Sequence, residues 1–453
     1  ALAGATIIAN LSASNEVIAK DEYREMLVKS QSAKLYCGYI YSDAGYGEST
    51  TDLVFAGDNM IAENGTILAR SKRFNNECVY TELDLERLVG ERKKSNTYNI
   101  VGSEKYVSVK LDMNIGDTKI TRYVDKQPFV PSDDKKREKR SEEILSIQSL
   151  GLKKRLDHTH AKTAVVGVSG GLDSTLALLV TVRAFDSLNL ERKNIIAVTM
   201  PCFGTTDRTY NNAVNFANSL GVTLKEVNIK AAVNQHFADI EHDPNVYDVT
   251  YENSQARERT QILMDVANKS GGLVIGTGDM SELALGWATY NGDHMSMYGV
   301  NAGVPKTLIR YLVDYEAKRT NNDILKKTLQ DILDTPVSPE LLPPKDGKIS
   351  QKTEHIVGPY ELHDFFLYYL MRFGSKPSKI LRLAEVAFDG IYDREVILEW
   401  LKVFYRRFFA QQFKRSCLPD GPKVGSVALS PRGDWRMPSD ASYQIWAKEL
   451  ETL

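Results

Sequence analysis

The sequence predicts an α/β fold whose larger part is a doubly wound parallel sheet, and three observations support this prediction. Short apolar segments alternate with helical segments from Thr163 onward. The first apolar segment runs into two glycines, Gly170 and Gly171, and a helical stretch follows them. Beyond Lys306 the remaining chain is mostly helical. Strands that alternate with helices are typical of a parallel sheet covered by helices on both faces.

The elements of this larger part are predicted from apolar periodicity and flanking turn residues. The first strand begins at Thr163 and leads into the glycines. Further strands are predicted at 197–201, 224–229 and 272–277, and helices at 173–185, 207–220, 253–269, 307–319 and 394–413.

The first 125 residues form a separate part that is rich in predicted strands. A helix is expected at 21–31, and turn residues flank the apolar pair Met60 and Ile61. β-branched and aromatic residues, which strands favour, are concentrated at 6–11, 34–42, 52–57 and 106–113.

A connector separates the two parts. A proline and a dense run of charges at 129–143 indicate a domain boundary. Ser141 is a candidate N-cap for a helix that ends near residue 157. We therefore divide the chain into a first part at 1–125, a charged linker with a connecting helix at 126–160, and a third part at 161–453.

Composition excludes several classes of function. The chain has 453 residues and a formal net charge of −2, so no basic field indicates nucleic acid as a partner. No apolar run is long enough to span a membrane, and the first residues lack the positive start of a signal peptide. The four cysteines are far apart, which predicts neither a zinc site nor a disulfide framework. We expect a cytoplasmic protein.

The sharpest local signal is the segment Ser169–Thr175, which lies between a predicted strand and a helix. Its two glycines allow a tight turn and a close approach to a ligand. The helix that follows presents free N–H groups and its positive dipole end to an anion. Asp173 is a candidate ligand for a divalent cation beside the phosphates. The alternative is a tight strand-to-helix turn that binds nothing.

This segment resembles the SGGxDS loop of the ATP pyrophosphatases, which split ATP into AMP and pyrophosphate. The resemblance implies ATP as a substrate and Mg²⁺ as its partner. GMP, asparagine and argininosuccinate synthetases carry similar loops, so the loop alone does not identify the second substrate. The ATP-binding residues that it implies are Gly167, Val168, Ser169, Gly170, Gly171, Leu172, Asp173 and Ser174.

Three further stretches resemble the glutamine-dependent NAD synthetases: 200–213, 252–293 and 301–312. The resemblance implies that Asp173, Glu282 and Lys306 are catalytic and that Asp173 and Glu282 hold the magnesium. An isolated lysine would otherwise be a solvated charge, and Glu282 would be a first-turn helix residue favoured by the dipole. Further ATP contacts are implied for Thr199, Met200, Thr277, Lys306 and Ser338, and contacts to deamido-NAD for Asn253, Arg257, Glu282, Trp287, Ala288, Thr289, Tyr290 and Lys414.

The resemblance also implies a reaction and an assembly. ATP would activate deamido-NAD as an adenylated intermediate, which ammonia converts to NAD. Ammonia would come from glutamine in the full-length enzyme. Another ammonia-using enzyme with the same loop, such as a GMP synthetase, is the alternative. The family further implies a homo-oligomer.

Residues 1–125 resemble the C-terminal portion of a nitrilase-type glutaminase domain, an α/β sandwich. In that family Ser14 and Lys20 would help to hold glutamine. The cysteine nucleophile of the family and its two partners would lie upstream of Ala1, so we expect this chain alone not to hydrolyse glutamine. Cys37 lies in a predicted strand and is expected to be a packed core residue.

Overall fold

The computed structural model describes residues 1–100, 102, 106–114, 116, 118–335, 341–342 and 356–453. They divide into two compact units. Unit 1 comprises Ala1–Val124 with Phe373–Ser375, and unit 2 comprises Asp125–Arg372 with Lys376–Leu453. Among the described residues, no helix combines the length and the apolar character that crossing a bilayer requires.

Unit 1 contains a four-stranded mixed sheet in the order β1-β2-β3-β4. β1 and β2 are parallel, and the other neighbouring strands are antiparallel. Met60 in β3 and Val28 in α1 are buried together in its core. The elements are β1 (Ile7–Ser12), α1 (Lys20–Leu35), β2 (Gly38–Asp43), β3 (Met60–Glu63), β4 (Thr66–Arg70) and α2 (Leu85–Lys94).

Unit 2 contains a parallel sheet in the order β7-β6-β5-β8-β9. Its strands are β5 (Thr163–Gly167), β6 (Ile195–Thr199), β7 (Thr223–Glu226), β8 (Gly272–Gly276) and β9 (Tyr298–Gly299). Its helices are α3 (Asp134–Thr159), α4 (Leu172–Ser187), α5 (Asp207–Leu220), α6 (Lys230–Asp239), α7 (Val249–Ser270), α8 (Met280–Leu285), α9 (Lys306–Arg319), α10 (Asp323–Leu333), α11 (Tyr360–Tyr368), α12 (Pro377–Ala387), α13 (Arg394–Ala410), α14 (Gln412–Arg415) and α15 (Gln444–Glu451).

The central strand β5 shows why this sheet is buried on both faces. Its residues Ala164, Val165 and Val166 are fully buried. Ala164 and Val166 belong to one core cluster and Val165 belongs to another. Successive side chains of a strand point to opposite faces, so helices cover both faces of this sheet. The doubly wound α/β fold predicted from the sequence is confirmed.

The strand order reverses between β5 and β8. The chain builds outward from β5 through β6 to β7, then returns to the other side of β5 and adds β8 and β9. In an open parallel sheet, ligands bind beyond the carboxyl ends of the strands where the order reverses. The loops after Gly167 and Gly276 therefore flank the expected site.

Several predicted elements differ from those observed. Residues 52–57 are not a strand, whereas Met60–Glu63, which contains the apolar pair flanked by turn residues, is one. Residues 106–113 have strand-like composition but form no strand, and their apolar side chains are exposed. Ser141 does not cap a helix; it is buried within α3, whose N-cap is Asp133. The charged run thus begins the helix itself, because Asp133 accepts a hydrogen bond from the Lys136 amide at 2.8 Å.

Candidate functional site

The segment Ser169–Thr175 has the geometry of an anion-binding loop at the end of β5. Gly170 has φ +86°, and a Cβ there would lie 2.2 Å from the carbonyl oxygen of Thr209. Glycine is therefore required at this position for both conformation and space. α4 begins at Leu172 and has no side-chain cap. Its first N–H groups are thus not taken by a capping side chain.

The two loops at the strand reversal are tied together by Asn301. Its Nδ2 donates to the carbonyl oxygens of Asp173 at 2.9 Å and Thr277 at 3.0 Å. Gln148 in turn donates to Asn301 Oδ1 at 3.1 Å. Asn301 is fully buried, so these hydrogen bonds are shielded from water. The loop after β5 and the loop after β8 therefore form one site.

Lys306 lies at the centre of three carboxylates in this site. Its Nζ donates to Asp173 Oδ2 at 2.6 Å and to Glu282 Oε1 at 2.9 Å, and lies 2.7 Å from Asp279 Oδ2. Lys306 begins α9, and Glu282 lies in the first turn of α8. The Tyr360 ring centroid lies 5.4 Å from Nζ. Residues far apart in the sequence are thus gathered around one cation.

The charges of this cluster perturb one another strongly. Burial alone would lower the pKa of Lys306, but the three carboxylates outweigh it and raise that pKa well above its ordinary value. Burial also raises the pKa of Glu282 and of Asp279, against the attraction of Lys306. Lys306 therefore stays charged, and the carboxylates need a positive partner to remain ionised. Perturbed pKa values of this kind are concentrated at functional sites.

The donor set fits a divalent cation. Asp173, Asp279 and Glu282 offer one oxygen each, and these oxygens lie within 4.8 Å of one another. Oxygen ligands are those that Mg²⁺ prefers. Asp173 Oδ1 is buried without a hydrogen-bond partner among the described residues. When ionised, the three carboxylates carry three negative charges against one on Lys306, which leaves a double negative charge.

A second group of predicted residues meets around the segment that follows α8. Thr289 donates from its hydroxyl to Asn253 Oδ1 at 2.7 Å. Arg257 Nε donates to the Tyr290 carbonyl oxygen at 3.3 Å. Lys414 Nζ donates to the carbonyl oxygens of Gly286 at 2.8 Å and Ala288 at 2.6 Å. Asn253 and Arg257 lie in α7 and Lys414 lies in α14, so the segment 286–290 is hydrogen-bonded to two helices.

A small cavity lies between the segment 286–290 and the carboxylate cluster around Lys306. It has a volume of about 50 Å³, and its lining includes Thr277, Glu282, Ala288 and Asp293. Trp287 lies nearby in sequence, and the Arg407 guanidinium lies 5.4 Å from its ring centroid. Glu282 therefore belongs both to the carboxylate cluster and to the rim of the second group.

Comparison with known proteins identifies the family of this chain. The NAD synthase family model matches residues 144–392. The glutamine-dependent NAD(+) synthetase of Mycobacterium leprae is 42% identical over 485 residues, and the alignment covers 100% of this chain and 71% of that protein. The enzyme of the same name from Aquifex aeolicus is 29% identical over 447 residues, covering 97% and 71%. The chain belongs to the NAD synthase family.

A solved structure shows the same fold. The glutamine-dependent NAD(+) synthetase of Cytophaga hutchinsonii superposes with a TM-score of 0.57, covers 99% of this chain and 70% of that one, and is 20% identical. At this identity the likeness concerns the fold alone. It agrees with the predicted fold class, in which part of an α/β sandwich precedes the parallel-sheet domain of the NAD synthase.

The sequence did not identify Asp279, although this residue completes the carboxylate cluster. Asp279 is fully buried, and its Oδ1 accepts a hydrogen bond from the Glu282 amide at 2.8 Å. An aspartate three residues before a glutamate is a recognisable helix-start signal. That signal could have located the residue, but only the fold brings Lys306 to it.

Two arginines that the sequence did not single out, one fully buried and one half-buried, hold the C-terminal end of α8. The fully buried Arg415 donates to the carbonyl oxygens of Leu283 at 3.1 Å and Ala284 at 2.8 Å. Arg407 Nε donates to the Leu285 carbonyl oxygen at 3.0 Å. Burial lowers the pKa of Arg415 to about 9. Cations at a helix C-terminus are stabilised by its dipole, so these residues position α8 and Glu282 with it.

The remaining predicted residues lie at other places. Thr199 ends β6, and Met200 follows it; both are buried. Ser338 lies outside the described residues. In unit 1 the Ser14 amide donates to Asp43 Oδ1 at 2.9 Å, and Lys20 Nζ donates to the Asn15 carbonyl oxygen at 2.7 Å. Ser14 lies between β1 and α1, Lys20 is the first residue of α1, and the structure shows no hydrogen bond between them.

Unit 1 also contains a buried ion network that the sequence did not indicate. Arg24 Nη1 contacts Asp58 at 2.8 Å and Glu16 at 3.1 Å. Arg70 Nε contacts the other oxygen of Asp58 at 2.8 Å. Although burial would raise the pKa of Asp58, the hydrogen bonds from Arg70 and Arg24 lower it. Cys37 is fully buried, as expected of a core cysteine, and burial raises its pKa.

Proposed function

We propose that this chain is a carbon–nitrogen ligase that amidates deamido-NAD to NAD and converts ATP to AMP and pyrophosphate. One observation carries the proposal. Lys306 and three carboxylates meet beside an anion-binding loop, at the reversal point of the sheet. Family membership supports the same activity. The nitrogen donor at this site is ammonia.

The chemistry proceeds in two displacements. A carboxylate oxygen of the nicotinate attacks the α-phosphorus of ATP, and the bond from that phosphorus to the bridging oxygen breaks. Pyrophosphate leaves with the electron pair. Ammonia then attacks the activated carboxyl carbon, AMP leaves as the carbon–oxygen bond breaks, and the nitrogen loses a proton. Neither step requires a covalent bond to the protein.

The protein's part is positioning and charge stabilisation. We assign the amide of Leu172 to the triphosphate, because it opens α4 and no side chain caps this helix. Lys306 would neutralise the negative charge that develops on pyrophosphate. Asp173, Asp279 and Glu282 would hold Mg²⁺, which supplies further charge neutralisation when bound. Contacts of Thr199, Met200, Thr277 and Ser338 with ATP complete the proposed nucleotide site.

The second group of residues is assigned to deamido-NAD. Asn253, Arg257 and Lys414 already bind the segment 286–290, so they set its conformation. Tyr290 and Trp287 offer aromatic faces for the planar parts of the dinucleotide. Burial lowers the pKa of Lys414, with Arg407 adding to the effect. An anionic ligand would offset this clustering of positive charge.

Unit 1 is assigned to ammonia supply from glutamine, with Ser14 and Lys20 as glutamine-binding residues. The resemblance of this part to glutaminase domains supports the assignment. The protein is further proposed to be a cytoplasmic homo-oligomer.

Replacement of Asp173 by Asn tests the proposed function. With ammonia, ATP, Mg²⁺ and deamido-NAD, the wild type should form NAD and pyrophosphate in equal amounts. Asp173→Asn should lower kcat by about 100-fold or more, because it removes one of the charges that organise the site. NAD is measured by chromatography and pyrophosphate by a coupled assay.

A matched control is Asp323→Asn, which changes an exposed first-turn aspartate of α10. It should retain wild-type rates. Xanthosine monophosphate replaces deamido-NAD in a parallel reaction. Formation of GMP, with no NAD from deamido-NAD, would favour the GMP synthetase alternative and contradict the proposal.

A further inference from the structure

We propose that the side-chain ammonium group of Lys306 occupies the position of the metal ion. The two cations then exclude each other from this position, and the metal enters only with the triphosphate. The inference rests on the proposed function, since it concerns the same carboxylates. It adds Asp279 as the third ligand and assigns to Lys306 a second role, as the counter-ion that keeps the cluster closed to metal before ATP binds.

The position of Nζ is the first argument. It lies 2.6 to 2.9 Å from one oxygen of each carboxylate. Those are the same carboxylates whose oxygens lie within 4.8 Å of one another. Mg²⁺ binds its oxygen ligands at about 2.0–2.1 Å, so an ion held by all three would lie where the ammonium now lies. The Lys306 ammonium group and a metal ion therefore cannot occupy this position at the same time.

The state of Asp279 is the second argument. Its side chain is fully buried, and its Oδ1 is engaged by the Glu282 amide. Its Oδ2 points into the cluster and lies near Nζ without forming a hydrogen bond. A buried carboxylate oxygen with an unused acceptor is costly unless a cation approaches it. Nζ compensates the negative charge of this oxygen. A metal ion would compensate the charge and also be coordinated by the oxygen.

The attachment of Lys306 allows the exchange. Its backbone N–H donates to Ser281 Oγ at 2.8 Å. Among the described residues, its ammonium group contacts the three carboxylates and the Tyr360 ring. Four methylenes separate the two ends, so Nζ can move several ångströms while α9 stays in place. Triphosphate oxygens bound at the start of α4 offer the ammonium a competing anion. When ATP binds, the Lys306 ammonium group moves from the carboxylates to the triphosphate, and the metal ion bound to ATP takes its position.

Manganese binding without nucleotide tests this exclusion. Mn²⁺ is the probe, and free Mn²⁺ is followed by electron paramagnetic resonance during titration of the whole chain. Wild type should bind it weakly. Lys306→Met should bind one Mn²⁺ per chain about tenfold more tightly or better, because a unit positive charge has left the position. Lys154→Met, which removes an exposed lysine of α3, should behave as wild type.

Further arms keep the test decisive. In the Lys306→Met background, Asp279→Asn should abolish the gain, since it removes the third ligand. If Lys306→Met does not fold, Lys306→Gln replaces it, because its amide can donate hydrogen bonds to the carboxylates. Wild type with bound α,β-methylene-ATP should bind Mn²⁺ more tightly than α,β-methylene-ATP does without protein. Asp279→Asn should reduce this difference in affinity.

Two results would overturn the inference: nucleotide-free wild type binding one Mn²⁺ as tightly as either Lys306 variant, or Asp279→Asn leaving all Mn²⁺ affinities unchanged. Neither readout depends on catalysis. A chain that makes no NAD, yet gains Mn²⁺ affinity on Lys306→Met, would refute the proposed function and leave the exclusion intact.

Discussion

At the scale of single residues, the described part of the chain contains buried groups that titrate far from their usual range. His363 in α11 is one of them. Its imidazole is almost fully buried between Trp400, Phe404 and Phe366, and it contacts the Val357 carbonyl oxygen. Burial lowers its pKa from 6.5 to about 4. The folded protein therefore keeps this histidine neutral under conditions in which the unfolded chain would protonate it.

His363 should make stability depend on pH between 6.5 and 4. In this range the unfolded state binds more protons, so the free energy of unfolding falls as the pH falls. The shift corresponds to about 3 kcal/mol in total. Above pH 6.5 the contribution of His363 is constant. Urea unfolding at a series of pH values measures the slope.

His363→Phe should remove this slope and cost about 1 kcal/mol at pH 7, because the Val357 carbonyl loses its partner. His158→Gln, an exposed change on α3, serves as the control. An unaltered slope in His363→Phe would show that other groups cause the acid sensitivity.

At the scale of secondary-structure elements, α11 positions both helices that carry the charged cluster. Its Asp364 is buried, and Oδ2 accepts from the Thr307 amide at 3.0 Å and hydroxyl at 2.6 Å. Oδ1 accepts from the hydroxyl of Ser281 in α8. One carboxylate thus links the first turn of α9 to α8, and thereby fixes the distance between Lys306 and Glu282.

Asp364→Ala should impair both stability and catalysis. It removes the acceptor of the half-buried Thr307 amide and hydroxyl and of the buried Ser281 hydroxyl, which costs about 3 kcal/mol. A shift of about 1 Å between α8 and α9 would lower kcat on the order of 100-fold. Rates are measured at a temperature at which circular dichroism shows the variant folded.

The control for Asp364 is Glu361→Gln, on the same helix, where the side chain accepts from the Tyr392 hydroxyl. It should keep the wild-type kcat. Asp364→Asn should recover part of the loss, because its remaining oxygen can still accept from Thr307. A fully active, folded Asp364→Ala would contradict a positioning role.

The contrast between predicted and observed elements has a physical cause. The strand, loop and first helix around 163–187 were predictable because the glycines, the apolar strand and the helix start are neighbours in sequence. Asp279, Asn301 and Asp364 act through contacts across the fold, which no local pattern contains. Residues 106–113 have strand composition, but strand propensity reflects packing against a neighbouring strand, and none of the described residues pairs with them.

The roles of the site residues divide in the same way. Asp173 was predictable from its loop, because the chemistry of that loop is local. Glu282 and Lys306 came from resemblance alone, since each sits in the first turn of an ordinary helix. Their meeting depends on the β5–β8 reversal and on the contacts of Asn301 and Asp364. Local sequence indicates only the helix-capping role of Asp279, and the contact of its other oxygen with Lys306 depends on the fold.

At the scale of the whole molecule, the boundary between the two units predicts where a protease cuts. The first segment of unit 1 ends at Val124, and the residues before it include the exposed stretch 106–114, which lacks regular structure. Lys110 within it is 88% exposed, and Lys119 is also exposed. Exposed backbone without secondary structure is where nicking concentrates. Trypsin should therefore cut early at Lys110 or Lys119.

The nicked protein should keep ammonia-dependent NAD formation, because the loop, the carboxylate cluster and the segment 286–290 all belong to unit 2. N-terminal sequencing of the fragments identifies the cut, and the activity of the nicked sample is compared with that of the intact chain. Lys110→Gln with Lys119→Gln should slow the appearance of this fragment. If activity disappears in step with cleavage at these lysines, unit 2 depends on a continuous chain, and the synthetase site cannot be assigned to unit 2 alone.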